Sequence, residues 1–232
     1  MNIESKTNLK FISWNIQSSV SPAGCKFEDS SFTSIMNNHD IVCLQETRQA
    51  VKMKNFRSLC STRPNMKSGG VAILYSNSLI GGVEQVRNVA KDNPDIIICK
   101  LKRSFFKLND DFYVINVYVK PDNSSNKTLS PPGRDTLKQA EEISNKLRAS
   151  GQVILAGDFN ARIGNHSGLV THDTNNSHVP LPHDYLPDTF TPRNSNDTHT
   201  NSFGKDFIQL VINNSLTILN GRVLGDLLPV KK

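Results

Sequence analysis

The chain has 232 residues, 37% of them hydrophobic and 21% charged, which suits one large globular domain and excludes wholesale disorder. Its net charge of +6 leaves two readings open, a polyanionic partner such as nucleic acid or solubility alone. No stretch is apolar enough to span a membrane, and the opening MNIESKTNLKFISW lacks the apolar core of a secretory signal, so an intracellular protein of nucleus or cytoplasm is expected.

Short apolar runs parted by turn residues recur along the chain. LKFISWNI alternates from Leu9. Phe32 and Ile35 suggest a short helix before DIVCLQE, which starts at Asp40. GGVAILY follows from Gly69, DIIICKL from Asp95 and DFYVINVYV from Asp111. These runs are β-branched and aromatic, and of strand length. Residues 133–150, GRDTLKQAEEISNKLRAS, set Leu137, Ala140, Ile143 and Leu147 at helical spacing, with Asp135 or Thr136 as the cap. QVILAGDF from Gln152 reads as a buried strand. FGKDFIQLVINNS places Phe203, Phe207, Leu210 and Val211 on one helix face, and LTILNG from Leu216 reads as a further strand. The absence of regular βαβα alternation favours two packed sheets with helices outside over a plain doubly wound sheet.

Residues 165–200 are rich in Asn, Ser, Thr, Asp and Pro and read as a long loop. They hold five of the six histidines, His166, His172, His178, His183 and His199. Their spacing matches no common zinc pattern, so surface histidines are expected. The four cysteines, Cys25, Cys43, Cys60 and Cys99, form no CxxC pair. Cys43 and Cys99 lie inside apolar runs and read as reduced core residues.

Several strands finish in residues with metal or phosphate chemistry to offer. Asn15 ends FISWNIQ, Glu46 ends IVCLQET, Asn116 and Tyr118 close VINVYVKP, and Asp158 and Asn160 follow VILAG in LAGDFNARIG. Singly each has an ordinary explanation: a turn former at Asn15, a strand-terminal acid at Glu46, an Asx-turn at Asp158. Strand ends on one rim of a sandwich converge, however, and a cluster of carboxylates and amides there suits a hard cation such as Mg²⁺.

FISWNIQ (11–17), DIVCLQET (40–47), SGGVAIL (68–74), VINVYVKP (114–121) and LAGDFNARIG (155–164), in that order, resemble the endonuclease/exonuclease/phosphatase superfamily, the deoxyribonuclease I-like proteins. The resemblance implies an α+β fold, a four-layer α/β sandwich of two packed, mostly antiparallel sheets flanked by helices, in one domain over 1–232. It also implies a Mg²⁺-dependent phosphodiester hydrolase, with Mn²⁺ as a substitute ion, acting on DNA, with no membrane and no small-molecule cofactor. Glu46 would bind the metal, assisted by Asn15. Asp158 would orient the attacking water or bind a second metal. Asn160 and Tyr118 would hydrogen-bond the scissile phosphate, and Asn116 and Arg162 would contact phosphate or DNA. The stretch 193–226, with NSFGK at Asn201–Lys205 and NGRVLGD at Asn220–Asp226, is similar to endonuclease-like domains of non-LTR retrotransposons, which implies a target-site nickase.

The family pattern normally continues into a terminal Ser-Asp-His, and no such motif occurs in this sequence. The resemblance therefore implies a domain lacking its final strands, with weakened or lost activity and an exposed edge at the first strand. A catalytically dead relative that binds nucleic acid or protein is the alternative. Family members that act on inositol phosphates or sphingomyelin find no specific support here.

Overall fold

The computed structural model describes residues 8–22, 24–63, 68–87, 89–90, 93–121, 133–168, 193–195 and 197–222. His172, His178 and His183, and Val223 to Asp226 of the NGRVLGD stretch, lie outside them. In chain order the elements are β1 (Phe11–Asn15), β2 (Val20–Ser21), β3 (Gly24–Cys25), α1 (Ser30–Asn37), β4 (Ile41–Gln45), β5 (Phe56–Ser61), β6 (Val71–Ser76), β7 (Val83–Gln85), β8 (Ile96–Leu101), α2 (Arg103–Phe106), β9 (Phe112–Tyr118), α3 (Gly133–Arg148), β10 (Gln152–Asp158) and α4 (Ser202–Asn213). Two compact units divide the chain, residues 1–160 and 161–232.

Among the described residues, the first unit carries every strand. One four-stranded sheet has the order β1-β4-β6-β5 and the other β10-β9-β8-β7. In each, one parallel pair is followed by two antiparallel ones: β1 with β4, then β6 and β5, and β10 with β9, then β8 and β7. Alternation along each strand decides what packs where. Ile41, Cys43, Val71 and Ile73 from the first sheet meet Ile97, Cys99, Leu101 and Val114 from the second in the central core. The opposite face of the first sheet, with Val42, Leu44, Ala72 and Leu74, packs with Met36 and Phe32 of α1. On the second sheet α3 packs against β9 and β10, and Ile98 and Ile115, which alternate away from the central core, are buried as well. The layers are thus helix, sheet, sheet and helix, the expected α+β arrangement.

The expected helix over 133–150 forms, and Leu137, Ala140, Ile143 and Leu147 are all buried. Asp135 and Thr136 do not cap it: Asp135 lies in the first turn and Thr136 is buried inside the helix. α1 also forms, capped by Asp29, whose carboxylate accepts from the Ser31 and Phe32 N–H groups. Its Phe32 packs inward, whereas Ile35 is exposed. β10 is only half-buried rather than core, because among the described residues its sole strand partner is β9. β1 likewise pairs only with β4 among the described residues, and Phe11 is exposed on it. β5, FRSLCS, escaped the sequence reading because Arg57 and two serines dilute its apolar alternation. Cys43 and Cys99 are buried and all four cysteines are free. Burial drives the Cys43 thiol up to about 12 and raises that of Cys99 as well, so both stay protonated at neutral pH.

In the second unit, α4 buries Phe203, Ile208, Leu210 and Val211, with Phe207 half-buried. Asn201 caps it: its side-chain oxygen accepts from Gly204 N at 2.7 Å and from Arg162 N at 3.0 Å. Residues 216–222 are not a strand. Their backbone closes local turns instead, with Leu216 N on Val211 O and Arg222 N on Leu219 O, and no strand lies beside them among the described residues.

Candidate active site

Asn15, Glu46, Tyr118 and Asp158 sit at the ends of β1, β4, β9 and β10, so two come from each sheet. Parallel pairing aligns the ends within each sheet: Asn15 is in register with Gln45, and Asp158 with Tyr118. The side chains then meet across the sandwich. Asn15 Nδ2 donates to Glu46 Oε1 at 2.8 Å and to Asp158 Oδ2 at 2.7 Å. Its oxygen accepts from the Gln17 N–H at 3.0 Å, which fixes which end of the amide faces the acids. Tyr118 donates its hydroxyl proton to Glu46; burial, together with the Glu46 and Asp158 carboxylates, raises its phenol far above the ordinary value.

The backbone breaks out of extended geometry where these residues lie. Glu46 has φ 54° and Asn160 φ 47°, both left-handed. Asp158 Oδ1 accepts from Asn160 N at 3.0 Å, the Asx-turn that ends β10, while its Oδ2 faces Asn15. One carboxylate thus serves both the turn and the cluster.

The side chains of the other expected site residues have different partners. Asn116 is fully buried between the sheets. It donates to Leu44 O at 3.0 Å and Ala72 O at 2.9 Å, and accepts from Gln45 Nε2 at 2.6 Å. With its donors committed and no exposure it cannot reach a phosphate, and it acts as a polar bolt between the sheets. Asn160 donates its side-chain amide to Val119 O at 2.7 Å. Arg162, in the second unit, forms a two-pronged pair with Asp197, at 2.7 and 2.8 Å, which raises the guanidinium and lowers the carboxyl. Its charge is engaged there. His199 Nδ1 lies 3.6 Å from the same carboxylate, and its side chain is well exposed, as expected for a surface histidine.

Sequence reasoning missed Arg63 and Asp95. They form a buried ion pair, Arg63 Nη2 to Asp95 Oδ2 at 2.5 Å and Nε to Oδ1 at 3.2 Å. The guanidinium carbon lies 6.0 Å from the Tyr118 ring centroid, at the limit of a cation–π contact. Burial raises the Asp95 carboxyl, and Arg63, the Gly70 N–H and Lys120 pull it back. The only sequence signal was an acid heading the apolar run at Asp95.

The donor set fits a hard divalent ion. Mg²⁺ is held by one or two carboxylates and keeps waters and phosphate oxygens as its remaining ligands. Glu46 and Asp158 provide that pair, with an oxygen of each within 2.8 Å of one nitrogen. No group of three or more His, Cys, Asp or Glu able to hold a metal occurs among the described residues. Asn15 turns its nitrogen to the acids and so orients the carboxylates.

A two-sheet sandwich with acids and amides gathered at its strand ends is of the deoxyribonuclease I-like class. The chain belongs to the Endonuclease/Exonuclease/phosphatase family, which it matches over residues 12–205, and so to a family of hydrolytic nucleases and phosphatases. Among solved structures it is similar to an AP endonuclease from Leishmania major, at 15% identity and a TM-score of 0.52, over 67% of this chain and 56% of that one. It is also similar to the catalytic domain of Xenopus laevis APE2, at 18% identity and a TM-score of 0.50, over 68% of this chain and 60% of that one. The chain thus spans a little over half the length of these structures. No curated protein matches it by sequence. Among the described residues no helix is long and apolar enough to cross a membrane.

Proposed function

We propose that this chain carries a Mg²⁺-dependent phosphodiester-hydrolysing site acting on DNA, of the nickase type found in non-LTR retrotransposons. The observation that carries the reading is the meeting of Glu46 and Asp158 on the single amide nitrogen of Asn15, with the Tyr118 hydroxyl on Glu46. The retrotransposon branch rests on the likeness of residues 193–226, and DNA as substrate on the family and the net charge of +6.

The residues divide the work. Glu46 and Asp158 would hold the ion, which when bound supplies Lewis-acid polarisation of a phosphoryl oxygen. Asn15 keeps the two carboxylates turned toward each other before substrate arrives, so little reorganisation is left for the reaction. Tyr118 holds its proton on Oη and donates it to Glu46, steadying that carboxylate; with substrate bound, the same proton would be the one to pass to a phosphate oxygen. Asp158, pinned through Oδ1 by its turn, aligns a water with Oδ2.

The test is relaxation of supercoiled plasmid with Mg²⁺, using Glu46→Gln and Asp158→Asn as controls. Nicking that disappears in both variants supports the reading. Salt-dependent DNA binding without nicking would favour a non-catalytic binder.

A further inference from the structure

We propose that Arg63 and Asp95 form a clamp between the two sheets that sets the spacing of Glu46 and Tyr118, which makes Arg63 a positioning residue of the site; this rests on the function proposed above. Arg63 follows β5 in the first sheet and Asp95 precedes β8 in the second. Their side chains are 2% and 1% exposed, so the contact is shielded from water.

Each partner of the pair touches the support of one site residue. On the second sheet, the Asp95 carbonyl accepts the Tyr118 N–H at 2.9 Å, and the Arg63 guanidinium faces the Tyr118 ring. On the first sheet, Arg63 lies against Gly69, where a Cβ would overlap its guanidinium, and Nη1 donates to Ser68 Oγ at 2.9 Å. The Gly69 and Gly70 carbonyls in turn accept the Arg48 and Thr47 N–H groups at 2.9 and 3.1 Å. Those are the two residues that follow Glu46. A single fork therefore ties the turn behind Glu46 to the backbone of Tyr118.

A buried ion pair contributes little net stability beside an apolar pair of similar volume. What the fork adds is direction, since two parallel N–H···O bonds define a distance and an angle that apolar packing leaves looser. Lys120, buried just past Tyr118, lies in the field of the same carboxylate. Gly69 has φ 71°, a conformation that suits glycine and leaves room for the guanidinium.

The test replaces the fork by apolar side chains in one variant and by an unforked charge in another. The double variant Arg63→Met/Asp95→Leu and the single variant Arg63→Lys, which keeps the charge but not the fork, are made in the full chain labelled with 3-fluorotyrosine. Tyr118→Phe identifies the Tyr118 line in the ¹⁹F spectrum. In both variants the Tyr118 line should move or broaden while those of Tyr75 and Tyr113 stay in place. The kcat for plasmid nicking should fall on the order of 100-fold, with KM unchanged. An unchanged Tyr118 line, or an unchanged kcat, in either folded variant would overturn the clamp. If the double variant does not fold, Arg63→Lys decides. If the wild-type chain does not nick plasmid at all, the functional reading fails and the fluorine line alone judges the clamp.

Discussion

The two sheets share a pairing scheme and differ in what they place at its equivalent points. In each, an edge strand runs parallel to its neighbour, and the two strands end together at the rim. The first sheet ends those strands in an amide, Asn15, and, one residue past β4, an acid, Glu46. The second ends them in an acid, Asp158, and a phenol, Tyr118. Face to face, each acid meets a donor: Asn15 bridges both carboxylates, and Tyr118 caps Glu46. Behind the rim the pattern repeats with uncharged partners, Gln45 of one sheet on Asn116 of the other at 2.6 Å. Matching backbones bring the strand ends to the same place, and the chemistry arises because the end residues are not alike. A cluster made only of acids would suffer charge repulsion, and one made only of amides would offer a cation no charge.

The sharpest way to break this correspondence is at Gly157. It has φ 145°, and a Cβ there would overlap the Val117 carbonyl on β9. Gly157→Ala should push β10 away from β9 and lower stability by about 3 kcal/mol or more, read as the urea midpoint, with plasmid nicking lost because Asp158 moves with the strand. Next comes the uncharged tie. Asn116→Leu removes the amide that donates to the Leu44 and Ala72 carbonyls and the shortest of the three acceptors of the Gln45 amide, and should cost about 1–3 kcal/mol. DNA binding by the folded variant should be unchanged; weakened binding at full folding would return Asn116 to the role of a phosphate contact.

A smaller effect separates the sheets by pH. The Tyr118 phenol is raised in the folded chain, so its contribution is complete below the unfolded value of about 10 and is lost as pH rises toward the folded one. Melting temperature should therefore fall above about pH 10, and fall less steeply in Tyr118→Phe. The raised thiols of Cys43 and Cys99 add a decline of the same sign from about pH 9, common to both proteins, so the difference between the two curves isolates the phenol. The smallest effect is expected outside both sheets. Arg162→Ala removes a solvent-exposed ion pair with Asp197 and should barely change the melting temperature, less still at high salt. A marked loss of DNA binding in that variant would show that the guanidinium leaves Asp197 for phosphate.

Much of this architecture was readable along the chain, and where it was not the reason is physical. The β-branched runs at Ile41, Val71, Ile96, Phe112 and Gln152 form strands because their apolar residues have two buried faces, or one, to satisfy. LTILNG looked the same and is not a strand, since a strand needs a neighbour to take its backbone hydrogen bonds, and composition cannot supply one. Asn116 and Asp158 are polar residues on adjacent strands of one sheet. Only the facing sheet decides that one is sealed around carbonyls and the other looks onto Glu46. Arg63 and Asp95, 32 residues apart, carried no common pattern at all. Local sequence determined most of the strands, the main helices and which residue types stand at the strand ends, because periodicity and turn chemistry act over a few residues. The tertiary structure decided which of those ends face one another, which amide is buried and which ion pair lies behind the rim, because each depends on two sheets packing at a particular register.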